Sequence, residues 1–388
     1  MNLNNKNILL VIHQGILGGA ERQGLGISKY LTEHCNCKVD LLLTFSDEMN
    51  EDFKSFAKAC GIREILHFGY PYLLLERKLN IETLKHLFRA TRYLLQLRKG
   101  IKPLKPDVII PFMNFPSKIA FYLYKLLPSV KMTFWHQLGL DSLSMDVFEK
   151  VAVKNIPFVV GNASNCLDLL TEPYHIEPSK LNVLPQYIAM DYKPLDKEQL
   201  KLHYEIPLDT LVIGMIAHYR PDKKQELVLD AFCKLHDTYP HIHLVFLGHK
   251  ASNKTTLTKY KQLSQNINNL GLTSQVSLLT DVAVEDVLNI LDIGVLMSEI
   301  EGMPNVVMEY MLYRLPVVAT NHPGCVQLLN DSPYLIENDE TQLVEALENL
   351  ILSEDNRQAE INQNIKRIKP FTLENYVKKL EVIMNRYI

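Results

Sequence analysis

Short apolar runs alternate with helical patterns along most of this chain, and this alternation constrains its fold more than any other feature. Strands are predicted in two successive series: Ile8–His13, Val39–Phe45, Val108–Phe112, Lys131–His136 and Phe158–Val160, then Leu211–Ala217, Leu244–Gly248, Val276–Leu279, Asp292–Met297 and Leu315–Thr320. Such runs are typical of parallel strands that helices cover on both faces. At about 150 residues per domain, the 388 residues indicate two or three α/β domains.

Composition excludes several other classes of protein. With 47% hydrophobic and 22% charged residues, the chain is typical of a soluble globular protein. No apolar run approaches the ~18 residues of a membrane span, and the first run is too short for the core of a signal peptide. The six cysteines are scattered without a C-x-x-C pair, which favours a reducing cytoplasm. No metal site and no cofactor are predicted.

Two carboxylates bracket a turn between a predicted strand and a predicted helix. Glu301 lies in the loop after Asp292–Met297, and Glu309 lies about one turn into the helix that starts near Pro304. Proline is tolerated in a first helical turn, where unpaired N–H groups and the helix dipole favour an anion such as phosphate. A ligand with phosphate in its middle and hydroxyl groups at both ends, such as a nucleotide-sugar, fits this pattern.

A basic segment runs from residue 77 to residue 105. Nine lysines and arginines face a single acid, Glu82: Arg77, Lys78, Lys85, Arg89, Arg92, Arg98, Lys99, Lys102 and Lys105. A helix here places Ile81, Leu84, Phe88 and Leu95 along one stripe. This pattern fits a solvated surface helix, and it also fits a helix that rests on an anionic membrane surface.

The turn itself resembles a known family. The pattern S-x-x-E-G-x-P-N-V-x-x-E, from Ser298 to Glu309, is similar to the E-x-x-x-x-x-x-x-E motif of the family-4 retaining glycosyltransferases, which have the GT-B fold. The resemblance implies an α/β fold of two Rossmann-like domains facing a cleft. It implies that Glu301 is catalytic and that the donor is bound by Gly302, Met303, Pro304, Asn305, Val306 and Glu309.

A second loop resembles the diphosphate-binding loop of the same family. His218–Gln225 is similar to G-R-x-x-x-x-K-G, with Lys223 at the place of the family lysine. His218 replaces the usual arginine, and Arg220 stands two residues later. Because arginine binds phosphate bidentately and lysine acts as a point charge, Arg220 and Lys223 together are chemically sufficient to hold the donor diphosphate, and the resemblance implies that both are catalytic. The alternative is a pair of solvated loop cations.

Four further residues are assigned through the resemblance. Gly18 and Gly19 lie in a G-G-A-E turn that borders the donor diphosphate in relatives, although a plain tight turn would look the same. His136 ends a strand where many relatives place a histidine that contacts the transferred sugar; a strand-end histidine can also be purely structural. Gly248 belongs to a segment similar to the family's L-x-I-x-G-x-G, and this resemblance implies that Gly248 binds the donor.

The resemblance divides the chain into two domains with separate roles. Residues 1–194 with about 372–388 would form an N-terminal acceptor-binding domain, and residues 195–371 a C-terminal nucleotide-sugar-binding domain, with a polar linker at 195–209. The implied reaction is metal-independent, retaining transfer of a sugar, with UDP-sugars favoured, to an acceptor hydroxyl.

We expect this reaction in bacterial surface polysaccharide or glycolipid synthesis, in the cytoplasm or at the inner face of the membrane. The acceptor would be a sugar or a lipid-linked sugar, and no nucleic acid is expected. The alternatives are a nucleotide-sugar epimerase of the same fold and, less favoured, a two-domain solute-binding protein.

Overall fold

The computed structural model of this protein describes residues 2–75, 81–140, 143–249 and 254–387. The chain forms two compact units. Unit 1 comprises Met1–Ala189 and Phe371–Ile388, and unit 2 comprises Met190–Pro370. Arg77 and Lys78, the first two cations of the predicted basic segment, lie outside the described residues.

Unit 1 contains two sheets of parallel strands. One sheet has the order β3-β2-β1-β4, and the other has the order β5-β6-β7. The strands are β1 (Asn7–Ile12), β2 (Lys38–Leu43), β3 (Ile62–His67), β4 (Val108–Pro111), β5 (Trp135–Gln137), β6 (Val159–Gly161) and β7 (Leu181–Val183). The strand predicted over Lys131–His136 therefore begins late, and its first part makes only an isolated bridge from Met132 to Val108.

Alternate side chains of β1 pack on opposite faces of the sheet, as strand geometry requires. Ile8, Leu10 and Ile12 belong to one buried cluster, and Leu9 and Val11 belong to another. Helices cover both faces: α1 (Gly19–Cys35), α2 (Glu51–Ala59), α3 (Ile81–Ile101), α4 (Asn114–Leu126), α5 (Val147–Asn155) and α6 (Ser164–Tyr174). The basic segment does form a helix, and the predicted parallel α/β class is confirmed.

Unit 2 contains a parallel sheet with the strand order β10-β9-β8-β11-β12-β13. Its strands are β8 (Leu211–Ile216), β9 (Ile242–Leu247), β10 (Val276–Leu279), β11 (Ile293–Leu296), β12 (Val317–Thr320) and β13 (Leu335–Ile336). This is the strand order of the Rossmann fold. The strands β8 to β10 are added toward one edge of the sheet and β11 to β13 toward the other, so the order reverses between the neighbouring strands β8 and β11. The loops after β8 and β11 therefore flank the crevice where open α/β sheets bind ligands.

The helices of unit 2 connect these strands and cover them. They are α7 (Lys197–His203), α8 (Gln225–Thr238), α9 (Lys254–Asn269), α10 (Val284–Ile290), α11 (Asn305–Leu312), α12 (Pro323–Leu329), α13 (Glu340–Leu352) and α14 (Glu354–Ile368). The final helix, α15 (Leu373–Asn385), packs in unit 1 through Tyr376, Leu380 and Met384. Within the described residues, no helix has the length and apolar character needed to cross a bilayer.

The stretch 195–209 is not an unstructured linker. Asp196 caps α7 by accepting hydrogen bonds from the N–H groups of Glu198 and Gln199. Lys201 is buried, and its ammonium donates to the carbonyl of Thr210 at 2.7 Å. The polar composition of the stretch hid this helix, because the buried ammonium is satisfied by backbone carbonyls beyond the end of the helix, at Leu208 and Thr210.

A buried charged cluster fixes part of unit 1. Lys118 on α4 is fully buried, and its Nζ donates to Asp146 at 2.5 Å, to the Ser144 hydroxyl at 3.0 Å and to the Leu73 carbonyl at 3.1 Å. Glu149 is also buried and accepts from the Ser144 hydroxyl at 2.7 Å. This Lys118 cluster (Lys118, Ser144, Asp146 and Glu149) ties α4 to the start of α5 and to the loop after β3.

Replacing Lys118 by methionine keeps a side chain of similar length but leaves two buried carboxylates without their cation. We expect the free energy of unfolding to fall by about 3–5 kcal/mol, the cost of breaking a buried ion pair from one side. Urea denaturation of Lys118→Met measures this loss. Lys125→Met is the control, because Lys125 is exposed on the same helix; equal losses in the two variants would contradict the assigned role.

Candidate functional site

The loops that follow β8 and β11 are bound to each other along the backbone. The N–H of Glu299 donates to the carbonyl of Asp222 at 2.8 Å, and the Ser298 hydroxyl donates to the same carbonyl at 3.3 Å. Ser298 is fully buried. These bonds place the two segments that carry the predicted donor-binding residues side by side in unit 2.

Lys223 and Glu301, both predicted to be catalytic, form an ion pair. Only 11% of the Lys223 side chain and 15% of the Glu301 side chain are exposed. The Lys223 ammonium also donates to the Ser298 hydroxyl at 3.2 Å. A lysine held by a carboxylate and a hydroxyl in a partly buried loop is positioned more firmly than a solvated surface cation, because fewer rotamers and less water compete for it.

Arg220 lies in the same loop but is more exposed, with 49% of its side chain accessible. Its Nε donates to Asp222 at 2.9 Å, and Asp222 also lies 3.8 Å from the Lys223 ammonium. His218, which stands where relatives have arginine, is exposed. Both cations that the sequence predicted to bind phosphate therefore have acidic partners within unit 2.

The turn after β11 leads directly into α11. The sequence pattern predicted that Pro304 lies in the first turn of this helix. In the structure Pro304 is the N-cap residue, and the helix begins one residue later, at Asn305. Pro304 itself forms no side-chain capping bond to α11. The anion site predicted at this helix start stays a prediction, based on the N–H groups of a first helical turn and the helix dipole. Glu309 is the fifth residue of the helix, ~6 Å along its axis from Asn305.

A glycine on α12 presses against the same turn. A Cβ on Gly324 would lie 1.5 Å from the carbonyl oxygen of Gly302 and 3.0 Å from the Cα of Met303. Any side chain at position 324 would push the 301–303 backbone out of place. Packing against the Glu301 turn thus requires glycine at position 324.

His322 is a residue near the site that the sequence did not single out. It precedes α12, and burial lowers the pKa of its imidazole; Lys223 adds to this effect and Glu301 opposes it. Its Nδ1 has no hydrogen-bond partner among the described residues. Only its position after strand β12 could have drawn attention to it, since ligands gather at the carboxyl ends of such strands.

His136 lies in unit 1 and is fully buried. Its Nδ1 is 2.9 Å from the carbonyl of Pro111, and because a carbonyl only accepts, Nδ1 carries the proton. Burial lowers the pKa of His136 to about 4, so the imidazole is neutral near pH 7. Its Nε2 has no partner in the described part of the chain and can only accept a hydrogen bond.

The three remaining glycines have local structural roles. Gly18 is the N-cap residue and Gly19 the first residue of α1, and the buried Glu21 carboxylate accepts from N–H groups at this helix start. A Cβ on Gly248 would lie 2.6 Å from the carbonyl of Ala217, so packing between the ends of β8 and β9 accounts for it.

Comparisons with known proteins follow the same division of the chain. The model of the family described as "Glycosyl transferases group 1" matches residues 196–367. A D-inositol 3-phosphate glycosyltransferase from Stackebrandtia nassauensis is 26% identical over 216 residues, which are 53% of this chain and 48% of the relative. An uncharacterized glycosyltransferase from Methanocaldococcus jannaschii is 23% identical over 252 residues, 60% of each chain. The matched region thus spans between about half and three fifths of these relatives.

Solved structures extend the likeness to the whole fold. The Anabaena protein HepE in complex with UDP-glucose superposes with a TM-score of 0.77 at 18% identity, over 98% of this chain and 100% of HepE. Sucrose-phosphate synthase from Thermosynechococcus elongatus superposes with a TM-score of 0.71 at 13% identity, over 98% of this chain and 99% of the synthase. Residues 196–367 of this chain are therefore similar to the group 1 glycosyltransferases, and the chain has the GT-B fold.

Proposed function

We propose that this protein is a retaining glycosyltransferase of family 4, which moves a sugar from a nucleotide-diphosphate sugar to an acceptor hydroxyl. Unit 2 would bind the donor and unit 1 the acceptor. UDP-sugars are the first donors to test, because HepE was solved with UDP and UDP-glucose. We place the reaction in the synthesis of a bacterial surface polysaccharide or glycolipid.

The observation that carries this proposal is the Lys223–Glu301 pair beside the start of α11. A donor diphosphate can replace Glu301 as the partner of the Lys223 ammonium. It can likewise replace Asp222 as the partner of the Arg220 guanidinium. Its remaining oxygens would accept from the N–H groups at the start of α11. Charge that builds on the departing phosphate is then met by groups already in position, without a metal ion in the proposed mechanism.

Release of Glu301 from Lys223 gives the carboxylate its own role. Once the ammonium turns to the phosphate, Glu301 can accept hydrogen bonds from the sugar hydroxyls, while Glu309 accepts from the ribose hydroxyls. The donor would thus be held at both ends and in its middle. His136, as a neutral acceptor on unit 1, would bind a hydroxyl of the transferred sugar.

The basic helix α3 supplies a means of reaching a lipid-linked acceptor. Its cations and exposed apolar residues favour contact with an anionic membrane surface, at about 1 kcal/mol per basic residue near the surface. We therefore propose a cytoplasmic protein that binds peripherally at the inner face of the membrane.

Removing the Lys223 charge should weaken donor binding. We expect Lys223→Met to lower the affinity for UDP by about tenfold to a hundredfold, the range for a charge-assisted hydrogen bond. Calorimetric titration with UDP measures the change. Lys234→Met is the control, because Lys234 lies on α8 and pairs with Glu340 at 2.9 Å. Unchanged UDP affinity in Lys223→Met would show that the donor site is elsewhere.

The reaction class is tested by turnover. With a UDP-sugar and a lipid-linked sugar acceptor, we expect release of UDP that depends on the acceptor. We also expect a product whose anomeric configuration, measured by proton NMR coupling, equals that of the donor. An epimerase would convert the UDP-sugar without acceptor, and a solute-binding protein would bind it without turnover. Either result, or an inverted anomer, would contradict the proposal.

A further inference from the structure

A cavity of about 350 Å³ lies in unit 1, between α3 and the loop that follows β3. Its lining includes Phe68, Tyr70 and Tyr72 from the loop and Arg89, Arg92 and Tyr93 from α3. The volume is within the range of small-molecule sites, and the lining combines aromatic walls with a few polar groups. None of these residues belongs to the predicted donor site.

Tyr93 is the buried polar group of this cavity. The residue is only 2% exposed, and its hydroxyl has no hydrogen-bond partner among the residues that the structure describes. Burial raises the pKa of Tyr93, so the hydroxyl keeps its proton and acts as a donor. An unpaired buried hydroxyl costs free energy, and a ligand oxygen that accepts from it would remove this cost.

Two arginines give the cavity its charge. Arg89 and Arg92 are exposed and contribute to the lining. The one acid of α3, Glu82, pairs with Lys85 at 2.9 Å, and within the described ranges no carboxylate forms an ion pair with either arginine. Two guanidinium groups and a hydroxyl donor match the oxygens of a phosphate group, which arginine binds bidentately.

The loop side of the cavity is firmly anchored. The Leu73 carbonyl accepts from Lys118 of the Lys118 cluster, and the Leu75 carbonyl accepts from the N–H of Val147 at 3.1 Å. The Phe68 ring lies over Gly100 of α3, so closely that a Cβ there would meet the ring at 2.2 Å. The cavity is therefore formed by packing on both sides.

Aromatic rings continue from the cavity along the carboxyl edge of the sheet. Tyr72 contacts Tyr70 with ring centres 5.0 Å apart, Tyr70 contacts Phe45 at 6.1 Å, and Phe45 stacks on His13 at 5.0 Å. Phe45 and Tyr70 are each 48% exposed. This aromatic track (His13, Phe45, Tyr70 and Tyr72) ends in the loop that contains Gly18 and Gly19, and its rings suit the apolar faces of sugars.

The outer face of α3 is apolar beside the cavity. Ile81, Leu84 and Phe88 are 73%, 67% and 70% exposed, and Leu95 continues the stripe at 54%. By helical geometry Arg92 lies between this stripe and the cavity side of the helix. A ligand with both a phosphate and a hydrocarbon chain would use the cavity and the stripe together.

We propose that the cavity binds the phosphate of a lipid-phosphate acceptor, with its sugar along the aromatic track and its hydrocarbon chain along the stripe of α3. This inference rests on the proposed function, because it assigns the acceptor of that reaction. Tyr93 would donate to one phosphate oxygen, and Arg89 and Arg92 would bind the others. The exposed apolar stripe of α3 favours a lipid phosphate over a soluble sugar phosphate, because only the lipid has a hydrocarbon chain that can cover it.

Calorimetric titration with decyl phosphate, below its micelle concentration, tests the site without requiring turnover. We expect decyl phosphate to bind at least tenfold more tightly than inorganic phosphate or decyl glucoside. Tyr93→Phe should weaken decyl phosphate about tenfold, and Arg89→Gln with Arg92→Gln should weaken it further. Tyr93→Phe should not lower the thermal unfolding temperature, since its hydroxyl has no protein partner among the described residues.

Arg98→Gln is the matched control, because Arg98 is exposed on the same helix but does not line the cavity; it should bind decyl phosphate like the wild type. Equal binding by wild type, Tyr93→Phe and the double arginine variant would overturn the site. If decyl phosphate binds no more tightly than inorganic phosphate, the assignment of a lipid phosphate as the ligand is wrong. If transfer from UDP-sugars fails while decyl phosphate still binds at the cavity, the proposed function fails and the phosphate site stands.

Discussion

The ion pair between Lys223 and Glu301 is the interaction on which the account of the candidate donor site in unit 2 depends. It joins two loops that leave adjacent strands at the point where the strand order reverses. Because the pair is largely shielded from water, its attraction is stronger than that of a surface salt bridge. Hydrogen bonds from Ser298 hold the same two loops, so the pair is fixed in a polar frame. A phosphate that displaces the carboxylate would enter a site whose donors are already oriented, which lowers the ordering cost of binding.

The sequence predicted the local features of this site well. The strand ends, the turn at Gly302 and the helix start near Pro304 follow from apolar runs and backbone restrictions within a dozen residues. It could not predict that Glu301 pairs with Lys223, because the pair joins positions 78 apart in the chain. The sequence shows a glycine at 324 but not the reason for it: only the packed structure shows that a Cβ at this position would overlap the backbone of Gly302.

The cavity of unit 1 could not be predicted from the sequence either, because it also depends on contacts between segments that are far apart in the chain. The basic helix and its apolar stripe were predicted, since both follow from helical spacing. The partner wall comes from the loop after β3, whose position depends on the buried Lys118 cluster. Nothing in local sequence marks Lys118 as buried, because lysines are mostly exposed. The hydroxyl of Tyr93 became informative only when its surroundings showed no acceptor within the described residues.

The structure of this protein with bound UDP tests the central claim most directly. The account predicts that a diphosphate oxygen lies within hydrogen-bond distance of the Lys223 ammonium and that Glu301 has moved away from it. It also predicts phosphate oxygens facing the N–H groups at the start of α11. A complex in which UDP binds elsewhere on unit 2 while the Lys223–Glu301 pair remains intact would contradict it.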